Sequence, residues 1–370
     1  MFKNLTEMQK KLVTIMFICV GLLILLFGIL GIINLINGGK LSFDKIEKKM
    51  VDAAESYYKS NKDLLPSDDF AKTELDVNTL VEKGLMKSLN KYTKENVSCT
   101  GKVVVVKNGE YYNFIPKLDC GGDYKSKNLV DKLTSESNIV TSGDGLYKIN
   151  DEYVYRGENI NNYVTFAGLK WRILKLTKDG EIRMILDEPL DGVVWDDRYN
   201  PEKKTTLGIN LFEYEKKSSR IKETLEEIYN GNTFSASDKA MIIPKRLCVG
   251  KRSINDESKD GSTECSVLTE QYLPLGLLQV NEFLMASLDK GCTSLSKREC
   301  MNYNYLATGD TNYWTLTANK ENSYEVYYID TIPQLANARK LSKIKLVINI
   351  TGEVNYDKGI GSLEEPYIIK

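Results

Sequence analysis

Histidine is missing from this sequence of 370 residues. With it go the usual proton shuttle near neutral pH and the commonest metal ligand, so most hydrolytic and metal-dependent mechanisms lose a member. No strongly basic segment stands out. Fifty basic and 51 acidic side chains leave a formal charge of -1, which argues against nucleic acid as the main partner. There is no G-x-S-x-G elbow, and no S-x-x-K accompanied by its partner motifs. No C-x-x-C pair occurs either, so zinc has no obvious ligand set. No catalytic residue, metal or cofactor is therefore assigned.

What is present begins with an uncharged apolar run, Leu12 to Ile36. As a helix it would extend about 37 Å, enough to cross a hydrocarbon core of roughly 30 Å with some tilt. The run is longer than a secretory signal's apolar region, and Asn34-Leu-Ile-Asn-Gly-Gly39 lacks a small-residue cleavage pattern. The expectation is a retained single-pass anchor that meets the lipid bilayer through residues 12–36. Lys3, Lys10 and Lys11 precede it while Lys40, Lys45, Lys48 and Lys49 follow, so the basic residues barely orient it.

The cysteines set the orientation. Cys19 lies in the apolar run, and the other six fall into local pairs: Cys99 with Cys120, Cys248 with Cys265, and Cys292 with Cys300. Six cysteines allow fifteen connectivities, and proximity favours the local one. Asn108-Gly109, flanked by Lys102–Lys107 and Glu110–Ile115, signals a hairpin that would bring Cys99 and Cys120 together. An even count points to disulfides and an oxidising compartment; six buried free thiols in a cytosolic domain is the competing reading. Each bridge should contribute about 2–3 kcal/mol through the chain entropy it removes. The expected localisation is the cell membrane, with the N-terminus cytoplasmic and the bulk of the chain extracellular.

Beyond the anchor, Phe43, Ile46, Met50, Ala53 or Ala54, and Tyr57 recur at helical spacing. A second helical piece spans Val77–Leu85, followed by the Asn108-Gly109 hairpin. The sequence turns polar between about Asp123 and Asn138, and residues 126–145 read as a linker. Further on, Asn150-Asp-Glu152 and Asp179-Gly180 mark two more hairpins. Ile221, Leu225 and Ile228 form one face of a helix that Ser218 or Ser219 could cap. Another helix lies within Leu277–Leu288. Strands are expected at Tyr313–Thr317, Val326–Ile329 and Lys345–Ile350. The fold class is α+β with mainly antiparallel strands.

The Leu12–Ile36 run, the Phe43–Asn61 helix with Ala53-Ala54 and Tyr57-Tyr58, and the Cys99–Cys120 hairpin together resemble type IV pilins and pseudopilins. The resemblance covers roughly the first 125 residues. No glycine precedes Leu12, and the only nearby acid, Glu7, lies outside the run. The resemblance therefore implies a fold rather than a pilus. The strand Trp171-Arg-Ile-Leu174, the Ser219-x-Ile221-x-x-x-Leu225 helix, Tyr313–Thr317 and Lys345–Ile350 carry a second likeness. They resemble an uncharacterised exported domain of low-GC Gram-positive bacteria, distantly similar to the C-type-lectin-like fold of formylglycine-generating enzymes. This likeness covers roughly residues 150–370 and implies that Gly359–Tyr367 folds back onto the sheet. The implied organisation is a cytoplasmic tip and anchor over 1–40, a pilin-like domain over 41–125, the linker over 126–145 and a lectin-like head over 146–370.

Two motifs were weighed as sites. Asp256-Glu-Ser-Lys-Asp260-Gly261 hints at a calcium loop, but the twelfth position is Val267 where a bidentate Glu is needed, so a solvated loop is expected. Trp195-Asp196-Asp197-Arg198-Tyr199 offers a ring, carboxylates and a guanidinium, the chemistry of a sugar site. Its plainer reading is an aromatic plug with a surface salt bridge. Adjacent carboxylates rarely straddle a glycosidic bond at the required separation of about 5–9 Å. The 22 tyrosines, several in doublets such as Tyr57-Tyr58, Tyr111-Tyr112 and Tyr327-Tyr328, suit a binding surface and equally suit strands. In each doublet one ring is expected in the core and the other in water. The expected role is anchored surface assembly or ligand binding without catalysis, with cell-wall glycan or other surface proteins as partners. A pilin-like filament subunit and a carboxylate-dependent glycan-acting enzyme are the alternatives.

Overall fold

The computed structural model describes residue 20 and residues 40–94, 96–199, 209–214, 217–295, 297–307 and 312–370. Apart from Val20, the Leu12–Ile36 run with Cys19 lies outside the described residues. Among the described residues no helix is long and apolar enough to cross a membrane. The chain forms two compact units. The first takes described residues up to 65, with 74–104 and 116–126; the second takes 66–73, 105–115 and 127–370.

The first unit is built on helix α1 (Phe43–Ser60), which buries Ile46, Met50, Ala53, Ala54 and Tyr58 along one stripe. Tyr58, not Tyr57, enters the core, with the Tyr57 ring edge-on to it at 5.2 Å. Glu47 is also buried, a charge that helical periodicity would leave in water; Tyr124 and Ser126 each donate a hydroxyl bond to it. Asp76 caps α2 (Val77–Glu82) by accepting from the amide of Asn78 at 2.7 Å. Strands β1 (Lys72–Asp76), β2 (Thr100–Asn108) and β3 (Tyr111–Asp119) form a sheet in the order β1-β2-β3. Asn108 ends β2, and Gly109, at φ +58°, opens the turn. At the open end of the hairpin Cys99 and Cys120 are bonded, their Cα atoms 4.1 Å apart.

The longest segment of the second unit, 127–370, begins inside the stretch expected as a linker. Helix α3 (Leu129–Leu133) lies within residues 126–145, capped by Asn128, and its Leu129 and Leu133 are buried in the core. The i, i+4 leucines were hidden in polar text, and they make this segment part of the fold. Strands β4 (Gly145–Ile149), β5 (Glu152–Arg156), β6 (Tyr163–Phe166), β7 (Leu169–Leu176), β8 (Ile182–Leu186) and β9 (Leu190–Val194) follow. The short β10 (Glu213–Tyr214) and β11 (Lys217–Ser218) precede α4 (Arg220–Asn230), which Ser219 caps, and α5 (Ala236–Met241). Then come β12 (Lys251–Arg252), β13 (Gly276–Leu277), α6 (Val280–Ala286), β14 (Tyr313–Asn319), β15 (Glu325–Asp330), β16 (Ile332–Asn337), β17 (Leu341–Ile344), β18 (Leu346–Ile350) and β19 (Tyr367–Ile368).

One sheet runs β13-β18-β8-β7-β5-β4, with β6 joined to β7 and β19 to β6; the other runs β16-β15-β14-β17-β9, with β12 beside β14. Pairing is mainly antiparallel, the exceptions being β12 with β14, β14 with β17, and β19 with β6. The class is α+β. Trp171, Trp195 and Trp314 are wholly buried in the core. Both rings of Tyr327-Tyr328 are buried as well, because β15 lies inside its sheet and both its faces are covered. Segment Gly359–Tyr367 does return to the sheet, where β19 pairs parallel with β6 and Tyr163 donates to the carbonyl of Gly361 at 2.9 Å.

One close approach tests this packing. A Cβ on Gly352 would stand 1.9 Å from the carbonyl oxygen of Gly180, in the turn between β7 and β8. Backbone cannot yield as a side-chain tip does, so Gly352→Ala should cost about 1–3 kcal/mol. Gly122→Ala, whose Cβ meets nothing within 4 Å, should stay within about 0.5 kcal/mol of the parent. Denaturant midpoints of the two variants check both outcomes.

Candidate functional site

The Trp195–Tyr199 pentad folds as a tie, not as a sugar platform. Trp195 is fully buried, its indole donating to the Thr315 carbonyl at 3.3 Å with the Phe212 ring edge-on at 6.1 Å. No face of the ring is left for a sugar. Asp196 is 2% exposed and holds Arg198 through two bonds of 2.8 Å. Arg198 reaches on to Glu223 at 3.2 Å and to the carbonyl of Ser218. Asp197 is half-exposed and lies 3.6 Å from Arg220, which itself reaches Glu223 at 3.2 Å. Tyr199 packs edge-on against Tyr324 at 4.7 Å. Both arginines also reach Glu223, so each carboxylate is already engaged by a guanidinium and neither is free for a substrate.

The Asp256–Gly261 loop is likewise organised from within. Its centre is Arg252, with no exposed surface, which donates to Glu264 at 2.9 Å and to the carbonyls of Asp256, at 3.0 Å, and Ser258. A buried guanidinium already occupies the place a cation would take. Among the described residues no group of three acidic, cysteine or histidine side chains could hold a metal ion. Burial works against the charge of Asp256, yet bonds from Thr263 and Ser258 and the charge of Arg252 bring its pKa down to about 2. Cys248 with Cys265 and Cys292 with Cys300 are bonded, Cα atoms 4.3 and 4.4 Å apart. All three local pairs expected from the sequence therefore form.

The site that the sequence did not reveal is a cleft of about 600 Å³ in the second unit. The β4–β5 hairpin supplies Asp151, Glu152 and Tyr155; β7 and the turn after it supply Leu174, Lys175 and Lys178. The loop following Arg252 gives Glu257–Asp260, α6 gives Asn281, Glu282 and Met285, and Tyr305 completes the wall. The segments are far apart in the chain, and none has a local signature. The nearest hint is the reciprocal cap of α6, where Glu282 accepts from the amide of Gln279 at 3.0 Å.

The charges of the cleft are mostly settled within the protein. Glu282 takes a two-pronged bond from Arg183 on β8, one contact being 3.0 Å. Burial opposes its charge, and Arg183 outweighs burial, so its carboxyl stays below the usual carboxylate range. Lys175 reaches Glu152 on the neighbouring strand at 2.9 and 3.0 Å. Burial pushes the phenols of Tyr155 and Tyr305 far up, so both remain neutral hydroxyls at any ordinary pH. Asn281 is buried and, among the described residues, its side-chain oxygen has no hydrogen-bond partner. Lys259 donates to the carbonyl of Cys292, and burial together with nearby Arg156 lowers its pKa. Apolar floor, neutral hydroxyls and paired charges suit the holding of a polar molecule.

Two outcomes test this electrostatic picture. Arg183→Met should cost about 3–5 kcal/mol, because it strands a buried carboxylate, whereas Arg183→Met with Glu282→Met should recover much of that loss. Chemical denaturation of the single and double variants separates them. The depressed pKa of Asp256 contributes stability above the ordinary value of 3.8 that is lost as pH falls through about 2. Asp256→Asn should therefore flatten the decline in melting temperature between about pH 4 and pH 2. No protein-family model, curated protein or solved structure matches this chain.

Proposed function

We propose that the chain is a membrane-anchored, extracytoplasmic binding protein without catalysis, and that its second unit takes a polar ligand, such as a surface glycan, in the cleft of Tyr155, Asn281 and Tyr305. The observation that carries this reading is the cleft itself: a concave site with neutral hydroxyls in its wall and its buried carboxylate held by Arg183. Three disulfides support an oxidising location, and the Leu12–Ile36 run supports the anchor. A pilin-like first unit and a lectin-like second unit would suit a stalk bearing a head. The glycan-acting alternative on Asp196 and Asp197 loses its ground, since Asp196 is buried on Arg198 and Asp197 faces Arg220.

Topology is tested by protease shaving of intact cells, with released peptides and disulfides read by mass spectrometry. Release of everything beyond Lys40 with three local bridges is expected; a protected chain with six free thiols overturns the exterior reading. Binding is tested with the full-length protein on an oligosaccharide panel. Met285, half-buried on the cleft wall, is the residue to enlarge: Met285→Trp should weaken binding by about tenfold or more while leaving the melting temperature near the parent's. An unchanged affinity would place the ligand elsewhere.

A further inference from the structure

We propose that the cleft selects a ligand bearing an acidic group, a carboxylate or phosphate on a polar chain, and that Lys259 is the residue that binds this group. The proposal rests on the cleft being the ligand site, and it adds the ligand's chemical class.

Most charges in the wall have a counter-charge or stand in water. Lys175 is neutralised by Glu152, and Glu282 by Arg183. Asp151, Glu257 and Asp260 are exposed at the rim, where water and salt screen them over about 8–10 Å. Lys259 is different. It is half-buried, yet its hydrogen bond goes to the neutral carbonyl of Cys292, and among the described residues it has no carboxylate partner. One of its three N–H donors is used there, and two remain.

Arg156, on β5, deepens the imbalance. Its guanidinium donates to the carbonyls of Met285 at 2.8 Å and Ser287 at 2.7 Å and lies 5.2 Å from the Tyr147 ring. It too has no carboxylate partner among the described residues, and its positive charge acts on Lys259. Two cations thus stand half out of water on neutral dipoles, within reach of each other's field. Carbonyl dipoles offset only part of that desolvation. An anion at Lys259 would offset the rest, and Tyr155 and Tyr305 line the same cleft for the uncharged part of the chain.

The experiment titrates the full-length protein in detergent, by calorimetry, with three probes: cellotetraose, tetragalacturonate and a short poly(glycerol phosphate). At least one acidic probe should bind tenfold or more tightly than cellotetraose, with an affinity that falls as salt rises. Tetragalacturonate alone assigns a carboxylate, and poly(glycerol phosphate) alone a phosphate. Lys259→Gln should abolish the preference, Lys259→Arg should keep most of it, and Lys178→Gln on the rim should change it little. Equal binding of all three probes with no effect of Lys259→Gln overturns the acidic selection while leaving the cleft reading intact, provided Met285→Trp still weakens them. Binding of an acidic probe that neither Lys259→Gln nor Met285→Trp weakens overturns both, as does failure of every probe to bind. A melting-temperature rise with the acidic probe, present in the parent and absent in Lys259→Gln, guards against a variant that merely misfolds.

Discussion

The second unit depends on an ion pair that joins its sheet to its helix. Arg183 projects from β8, which pairs with β7 and β18, and grips Glu282 in the first turn of α6. Both side chains are nearly dry, at 12% and 8% exposure. Such a pair is worth having only if every remaining lone pair and proton finds a partner. Here they do. The second Arg183 arm donates to Asn349 at 3.1 Å, Asn349 donates to Glu181 at 2.8 Å, and Glu181 receives Lys245 at 2.6 Å. The helix end is fixed in the same stroke, because Glu282 also accepts the Gln279 amide. One wall of the cleft is therefore set by electrostatics rather than by apolar packing alone, and Asn281 and Met285 take their positions from it.

Local signals located much of the architecture. Turn residues announced hairpins where the backbone needs positive φ, as at Asn150 and Gly180. Periodicity found α1 and α4, and one of the two proposed serines caps the latter. What stayed hidden lacked a local cause. β9 and β17 are short and pair with each other across more than a hundred residues of chain, so neither carries a run long enough to read. β16 contains Pro333, which a sheet edge tolerates and an interior strand does not. α3 is a single turn or so of helix, held by Asn128 and two leucines. In each case tertiary partners, not propensity, make the element.

The candidate site was less legible for a related reason. A sequence-local cluster such as Trp195–Tyr199 draws the eye because its chemistry is adjacent, yet a large ring followed by a carboxylate and a guanidinium is also how a core plug is tied down. Burial decided between the two. The cleft draws on segments spread from residue 149 to residue 305, so its groups share no spacing that a linear reading can register. Arg252 shows the same limit: nothing around Lys251-Arg252 marks it as the buried centre of the loop that follows.

The pairing of β19 with β6 bears on how the protein is made. Residues 164 and 165 lie beside 367 and 368, so the sheet keeps an open edge until some two hundred further residues have been delivered. A chain made from its N-terminus onward would leave that edge of β6 open throughout the interval. Late closure raises contact order, slows folding and leaves an unpaired strand open to other chains. Folding of the second unit is thus completed at its last strand, and a chaperone that shields edge strands would act on the segment around Tyr163–Phe166.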